Sequence, residues 1–470
     1  VWHPLAHTTW FQTALIELGV LVLAGLAAYL TAPWWWRWVF ERIFRRSVRV
    51  LFEDTYTSNL AEGLTAIRKF GIQWVIENEL RAREGVPLSK PIGTTRQFPH
   101  FDGLLFIPAQ LHRRPLNHQA AVDSQTIIGR RAQRPMVLAM PILVSAMGYG
   151  VALSKPFVRA LMKGAAMADT ASNTGQGAWL PEFRELAKHL VVQVHDAPWR
   201  PSGEALRTAD MIEVRLGQGA NAGCGTLILP QDLTPDVAQD FGLPDAVNTG
   251  AYIPAGVPEA DHLRTLRMLV RDLRRVSGGA PIAVKLAAGH HLERDLAIAV
   301  RAGFDVIVVD GAQGGTHSAP AILVDDFGLP TLAALCRAQR FLVDHGCRDR
   351  VDLIISGGLR TPGDMLKALA LGADAVYIGA AALFAATHTQ IVHAIPFEPP
   401  TSLAWTKGSL RERFDEDRGA KSLAQFLTSC ADEMKLGARA LGKTALRDVD
   451  ATDLVAWQAD VARITGLPLV

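Results

Sequence analysis

Two patterns of apolar residues divide the chain. The first is unbroken: residues 18–36 hold no charge and, apart from Tyr29, consist of Leu, Val, Ala and Gly until Thr31 and Pro33 interrupt. A charge-free run of that length predicts a helix crossing the hydrocarbon core of a bilayer. The second pattern starts at Pro141 and alternates. Short, nearly continuous apolar runs at 141–147, 190–194, 211–216, 281–286, 305–309, 351–355 and 375–378 are separated, in the later part, by helix-length segments entered or left through Gly, Pro or Asp. Strands without polar alternation are buried on both faces, so helices must cover a parallel sheet. About eight such units in some 250 residues predict an α/β fold of the (β/α)8 TIM barrel type rather than a doubly wound sheet. The expected organisation is a transmembrane anchor with a basic juxtamembrane segment (1–50), a connector and barrel cap (51–140), the barrel (141–395) and a C-terminal helical extension (396–470) packed outside it.

Charge sharpens the first pattern. The 470 residues carry 48 Lys+Arg against 46 Asp+Glu, a net charge of +2, which argues against a nucleic-acid partner. Residues 1–50 hold five Arg and two Glu, +3, so the rest of the chain sums to −1. Arg37, Arg42, Arg45, Arg46 and Arg49 follow the apolar run, and no Lys or Arg precedes it. The positive-inside rule then predicts a single-pass protein of the cytoplasmic membrane with its large C-terminal part on the cytoplasmic side. Six of the 11 Trp lie in the same segment. Trp10 on one side and Trp34, Trp35, Trp36 and Trp38 on the other are spaced like two interfacial belts, roughly 36 Å apart at helical rise. A cleaved signal peptide would carry its positive charge before the apolar run. The first residue is Val1, so residues upstream are expected.

Candidate chemistry gathers where the barrel strands end. The last four runs, the fifth to eighth strands of the expected barrel, close in Lys285, in Asp310-Gly311 with Gly314-Gly315-Thr316, in Ser356-Gly357-Gly358 and in Gly379-Ala380-Ala381. Glycines there let backbone N–H groups approach a phosphate, and the loops after strands seven and eight are the usual phosphate site of this barrel. Lys285, ending a buried strand, either pairs with a neighbouring carboxylate or lies beside the pyrimidine edge of a flavin, where a cation stabilises the reduced anion. His290-His291 and His317 also follow strand ends. A His on that face would protonate a substrate carbonyl or imine. No spacing of His, Cys or carboxylates makes a metal site.

These residues fall into a familiar order. Phe101-Asp102-Gly103-Leu104 through Ala109, Thr126-Ile127-Ile128-Gly129, Ser145-Ala146-Met147-Gly148-Tyr149-Gly150, Asn173-Thr174-Gly175-Gln176-Gly177, Gly217-Gln218-Gly219-Ala220, Asp310-Gly311 with Gly314-Gly315-Thr316, and Ser356-Gly357-Gly358-Leu359-Arg360-Thr361 together resemble the FMN-binding synthase domain of glutamate synthases. The likeness spans about residues 98–386. It implies a (β/α)8 barrel binding FMN, which in that family reduces 2-iminoglutarate, formed from 2-oxoglutarate and ammonia, to glutamate. It further implies that Ser145, Ala146 and Met147 line the isoalloxazine, that Gln193 and Lys285 bond its polar edge, and that the glycines of the last two motifs and Gly379-Ala380 hold the phosphate. Asn173, Asp310, Gly314 and Gly315 join the cofactor site. Lys285, Gln176, Arg215 and His317 are the candidate catalytic residues.

Departures from that pattern are equally specific. The family's Asn-Thr-Gly-Glu-Gly reads Asn173-Thr174-Gly175-Gln176-Gly177 here, and Gln176 cannot act as an acid or base. Arg215 and Asn221 stand where the family has Lys; Arg215 keeps the capacity to grip a carboxylate bidentately. A membrane span occupies the start, where complete family members carry a glutaminase domain, so glutamine hydrolysis is not expected. The family's Cys-rich run after the last strand is replaced by Ala385-Ala386-Thr387-His388-Thr389-Gln390, and Cys224, Cys336, Cys347 and Cys430 are scattered. A cluster needs about three or four thiolates, so no iron–sulfur cluster is expected. Cys224 falls on the loop that approaches substrate in the family. The expected function is an FMN-dependent oxidoreductase acting on a small molecule, a 2-oxo acid or an amino acid, and exchanging electrons with a membrane or electron-transfer partner. The alternatives are a non-catalytic FMN-binding accessory subunit of a membrane complex and a flavin-dependent isomerase of the isopentenyl-diphosphate type.

Overall fold

The computed structural model describes residues 6–53, 55, 61–315 and 319–470. It divides into two compact units, 1–88 and 89–470.

The first unit is helical. α1 (Ala6–Glu53) runs through the whole apolar segment with Pro33 inside it. Its last turns are laced by Arg37–Glu41 (3.2 Å) and Arg49–Glu53 (3.4 Å) pairs four residues apart, and the Arg42 guanidinium lies 5.5 Å from the Trp38 ring. From Ala14 onward it is long and apolar enough to cross a membrane, and none of its most apolar window is buried. α2 (Ala61–Phe70) and α3 (Ile72–Glu84) follow, separated by Gly71 at φ 82.

The second unit is the barrel. Its strands are β1 (Ile142–Val144), β2 (Ala171–Asn173), β3 (His189–Val194), β4 (Met211–Arg215), β5 (Ile282–Ala287), β6 (Val306–Asp310), β7 (Asp352–Ser356) and β8 (Ala375–Ile378). All pair in parallel, in the order β1-β8-β7-β6-β5-β4-β3-β2. The remaining seam between β1 and β2 is stitched by the Thr170 hydroxyl donating to the Ile142 carbonyl and by Ala139 N–H to Asp169 O at 3.0 Å. The predicted (β/α)8 architecture is therefore present, nearly closed. Leu143, Val191, Met211, Val308, Ile354 and Tyr377 fill the interior, and Ile128, Met136 and Leu138 of the hairpin 126–138 pack with them as a plug. Gly129 N–H donates to Asp352 Oδ2 (2.6 Å) at the start of β7, which places that plug at the strands' N-terminal end and leaves the other end open.

Helices cover the outside as the apolar strands require, among them α4 (Lys155–Met167), α5 (Leu263–Val276), α6 (Leu292–Ala302), α7 (Thr331–Asp344), α8 (Pro362–Ala370) and α9 (Ala380–Thr387). α8 starts in a capping box: Asp364 N–H donates to Thr361 Oγ1, and Asp364 accepts from Thr361 N–H. α10 (Glu416–Ala440) packs on α4 and α9. Leu454–Ala456 then pairs antiparallel with Leu104–Phe106, tying the C-terminal part to the segment before the barrel.

Candidate functional site

A cavity of about 1160 Å³ opens at the C-terminal ends of the strands. Its glycine-rich end lies after β6, β7 and β8. Gly357 and Gly358 hold φ of 115° and 72°, the left-handed region that L side chains avoid. A Cβ at Gly357 would sit 2.6 Å from Thr331 Oγ1, and one at Gly358 would sit 2.6 Å from the Gln313 side chain. At Gly314 it would meet Asp310 Oδ1 at 2.9 Å, and at Gly315 the Ile92 carbonyl at 2.8 Å. Backbone thus forms this wall, together with Ser356, Gly379 and the first residue of α9, Ala380. The N–H groups at the start of a helix and the positive end of its dipole favour an anion there.

The opposite rim is set by two glycines packed backbone to backbone. A Cβ on Gly148 would lie 2.5 Å from Gly177 N, and one on Gly177 would lie 2.3 Å from Tyr149 N. This weld explains the paired Gly-containing motifs after β1 and β2. Asn173 Oδ1 accepts from Gly175 N–H (2.9 Å) and fixes the turn that carries Gln176 into the cavity. Gln176 is buried, and its Nε2 has no partner. Ser145, Ala146 and Met147 line the same wall.

A buried polar layer forms the floor. Lys285 Nζ lies 3.4 Å from Asp310 Oδ2, the pairing that a cation ending a buried strand requires, and both residues also line the cavity. Asp310 Oδ1 remains unpartnered. Beneath them Glu213, fully buried on β4, accepts from Gln193 Nε2 at 2.7 Å and Asn173 Nδ2 at 2.9 Å. Asn173 Nδ2 also reaches Tyr377 Oη (3.3 Å), whose phenol is held protonated by burial and by Glu213.

Some expected residues do not reach this space. Asn173 sits below the cavity wall and acts on it through Gly175 and Glu213. Arg215 is buried behind the wall, where Nη2 donates to Asn221 Oδ1 (3.0 Å) and Nε is unpartnered. Burial pulls its pKa down to about 10, against the nearby Asp310. His290 and His291 are exposed and off the cavity. His317 lies outside the described residues. Cys224 is exposed on the loop after β4.

Three further contributors have no signal of their own in the sequence. Glu213 looks like an outward polar residue in its run but points inward. Gln313 offers Oε1 to Thr331 N–H and Oγ1, both at 2.8 Å, which turns its unpartnered Nε2 into the cavity. The segment before the barrel also contributes: His100 Nε2 donates to the Gly358 carbonyl (3.1 Å), and burial, the largest influence on its pKa, favours the neutral ring. Lys90 and Thr94 fasten this segment through Asp325, at 2.5 and 2.8 Å.

Comparison with known proteins names this arrangement. The conserved region in glutamate synthase matches residues 105–444. A glutamate synthase large subunit-like protein of Rhizobium meliloti (strain 1021) is 34% identical over 83% of this chain and 91% of its own length. The chain belongs to the glutamate synthase family. An archaeal-type glutamate synthase (NADPH) of Thermotoga sp. (strain RQ2) is 29% identical over 76% of this chain and 74% of its own. A flavocytochrome b2 variant, 16% identical, superposes with TM-score 0.50 over 79% of each chain, a likeness of fold alone. As a glutamate synthase-like protein the chain is an FMN-dependent oxidoreductase.

The cavity of this glutamate synthase family member fits that cofactor. The space beside Gly357 and Gly358 admits backbone but no side chain. The unpartnered polar atoms Gln176 Nε2, Gln313 Nε2 and Asp310 Oδ1 belong to residues that line the cavity, as hydrogen-bonding groups awaiting a ligand do. Lys285 supplies a cation and the strand ends supply a polar floor.

Proposed function

We propose that the chain is a membrane-anchored FMN-dependent oxidoreductase that acts on a 2-oxo acid, on the imine derived from it, or on the corresponding amino acid. The observation that carries this reading is the junction, in one cavity, of a side-chain-free glycine wall, the buried Lys285 and the amide of Gln176. In this reading the backbone of 356–358, 314–315 and 379–380 holds the FMN phosphate. Ser145, Ala146 and Met147 lie along the ring, and Gln193 and Lys285 face its polar edge. Bound FMN supplies the two-electron redox chemistry.

The chain's own groups divide the remaining work. Lys285, fixed by Asp310, keeps positive charge at the floor without a side chain free to wander. Gln176 donates its N–H to a substrate carbonyl or carboxylate and orients it, but transfers no proton. Glu213 acts by positioning Gln193 and Asn173. No cluster ligand set is formed by the four cysteines, and α1 holds the barrel on the cytoplasmic side as a single span. Support for the anchor comes from the uncharged stretch of α1 and the arginines that follow it.

Full-length protein extracted from membranes tests the proposal. It is expected to carry one FMN per chain, and the reduced flavin is expected to be re-oxidised by a 2-oxo acid with ammonium present. A bound flavin perturbed by no 2-oxo acid and no amino acid would favour the accessory-subunit reading, which the neutral Gln176 and the recessed Arg215 motivate.

A further inference from the structure

The cavity extends beyond the glycine wall into a bay of different character. Phe384 and His388 of the turn that ends α9, Pro400, Trp405 and Phe426 of α10 line it. Trp405 bridges to Leu153 on the loop after β1, so the bay adjoins the wall of Ser145–Met147. The His388 ring stands edge-on to Phe384 at 4.7 Å, and its Nε2 lies 3.8 Å from Glu398 Oε1. His388 is the titratable side chain among these five residues. Aromatic walls with a single proton-accepting group suit a flat apolar ring that carries hydroxyls. These five residues include no Lys or Arg for the phosphates of a nicotinamide dinucleotide; the cavity's Arg96 and Arg360 belong to the segment before the barrel and to the loop after β7, and among the described residues no Cys lines the cavity.

A second feature lies at the same mouth. The chain leaves at His388 and returns to it at Glu398, and the turn between them exposes Ile391, Val392, Ile395 and Phe397, the last 57% exposed. Four large apolar side chains presented together to water mark a surface that meets protein or lipid. In a chain tethered by α1, lipid is the neighbour at hand, and such a shoulder inserts into the boundary of headgroups and acyl chains.

We propose that the aromatic bay binds a lipophilic quinol, which enters from the bilayer beside the 391–397 shoulder and serves as the electron donor. The inference rests on the membrane-anchored oxidoreductase reading and supplies its missing reductant. Oxidation of one quinol to the quinone breaks two O–H bonds and releases two electrons and two protons. Both electrons and one proton go to the flavin; the other proton passes to His388, and through Glu398 to solvent. His388 is a catalytic residue in this scheme, because it touches the quinol hydroxyl.

The test uses full-length, FMN-loaded protein in detergent, with decyl-ubiquinone as the ligand in calorimetry and its quinol form in anaerobic stopped-flow measurement of flavin bleaching. Saturable binding at a single site is expected. Phe426→Lys, which puts an ammonium into the bay, and Phe384→Ala are expected to weaken it by about tenfold or more while FMN content stays at the wild-type level. His388→Ala is expected to leave binding within about twofold and slow bleaching by about tenfold. No saturable binding to yellow wild-type protein, or wild-type binding in both Phe variants, would overturn the proposal while the flavin reading stands. Colourless protein would instead sink the flavin reading, and calorimetry would still report whether the bay takes a quinone.

Discussion

α1 and the barrel strands use the same residues and treat them in opposite ways. Val306, Ile307, Val308 and Val309 of β6 are wholly buried, whereas Leu21, Leu23 and Leu30 of α1 are 69, 66 and 68% exposed. The strand's side chains are covered by the barrel interior and by helices of the same unit. The six leucines from Leu15 to Leu30 are each more than half exposed among the described residues. At about 1.5–3 kcal/mol per large aliphatic side chain, leaving them in water costs roughly 10 kcal/mol or more. Burial in a bilayer, as proposed for α1, would remove that cost. Apolar content alone does not define a core; what matters is whether the chain brings its own partners.

Breaking the chain at the boundary between the two regions has the largest expected effect. Protein lacking residues 1–88 is expected to leave the membrane fraction and remain yellow, as judged by fractionation and absorption spectra. Aggregated, colourless protein would mean that the first unit is part of the barrel's fold.

Within the barrel, the ion pair of the floor is the next point of attack. Lys285→Ala leaves Asp310 buried without its cation, so unfolding is expected to become easier by about 3–5 kcal/mol, with loss of FMN. Wild-type flavin content in that variant would show that Lys285 is no part of the cofactor site.

A matched pair of truncations sharpens the contrast itself. Leu335 of α7 is fully buried, and Leu335→Ala is expected to destabilise the barrel by about 2–5 kcal/mol in urea titration. Leu21→Ala is expected to leave the barrel's transition where it was. Equal effects would erase the distinction between the two regions.

The smallest effect is a pH dependence. His195, at the end of β3, is buried with Nε2 unpartnered, and burial, with Arg215 and Arg200 nearby, lowers its pKa from 6.5 to about 3. The unfolded chain therefore binds a proton that the folded chain refuses, so stability is full above pH 6.5 and falls as pH drops towards 3. At pH 5 the expected loss is about 2 kcal/mol, and His195→Leu is expected to flatten that slope.

Much of this was legible in the residues. The seven apolar runs fall on barrel strands because parallel strands are buried on both faces and leave a continuous signal. β2 gave no such signal: Ala-Ser-Asn is three residues long and two of them are polar, and only the glycine motif after it marked the place. The glycines after β6 and β7 were readable because a backbone wall tolerates no other residue. Glu213 was not, since a carboxylate in an apolar run looks the same whether it faces water or two amides. Arg215 and the His290-His291 pair show the converse. Sequence places them at strand ends, but packing turns the arginine behind the wall and the histidines outward. The bay and its exposed shoulder arise from segments that meet only in the fold, 384–405 with α10, and have no local signature.

The central claim is that this barrel is an FMN site in a chain held at a bilayer. The most direct measurement is the cofactor content of full-length protein purified from membranes, by absorption spectrum and mass, beside Gly357→Val, whose side chain would collide with Thr331 and the Gly311 backbone behind the phosphate wall and displace that backbone. A single FMN per wild-type chain and none in the variant is the predicted result. Membrane-extracted, folded wild-type protein without flavin, or undiminished flavin in Gly357→Val, would contradict the account.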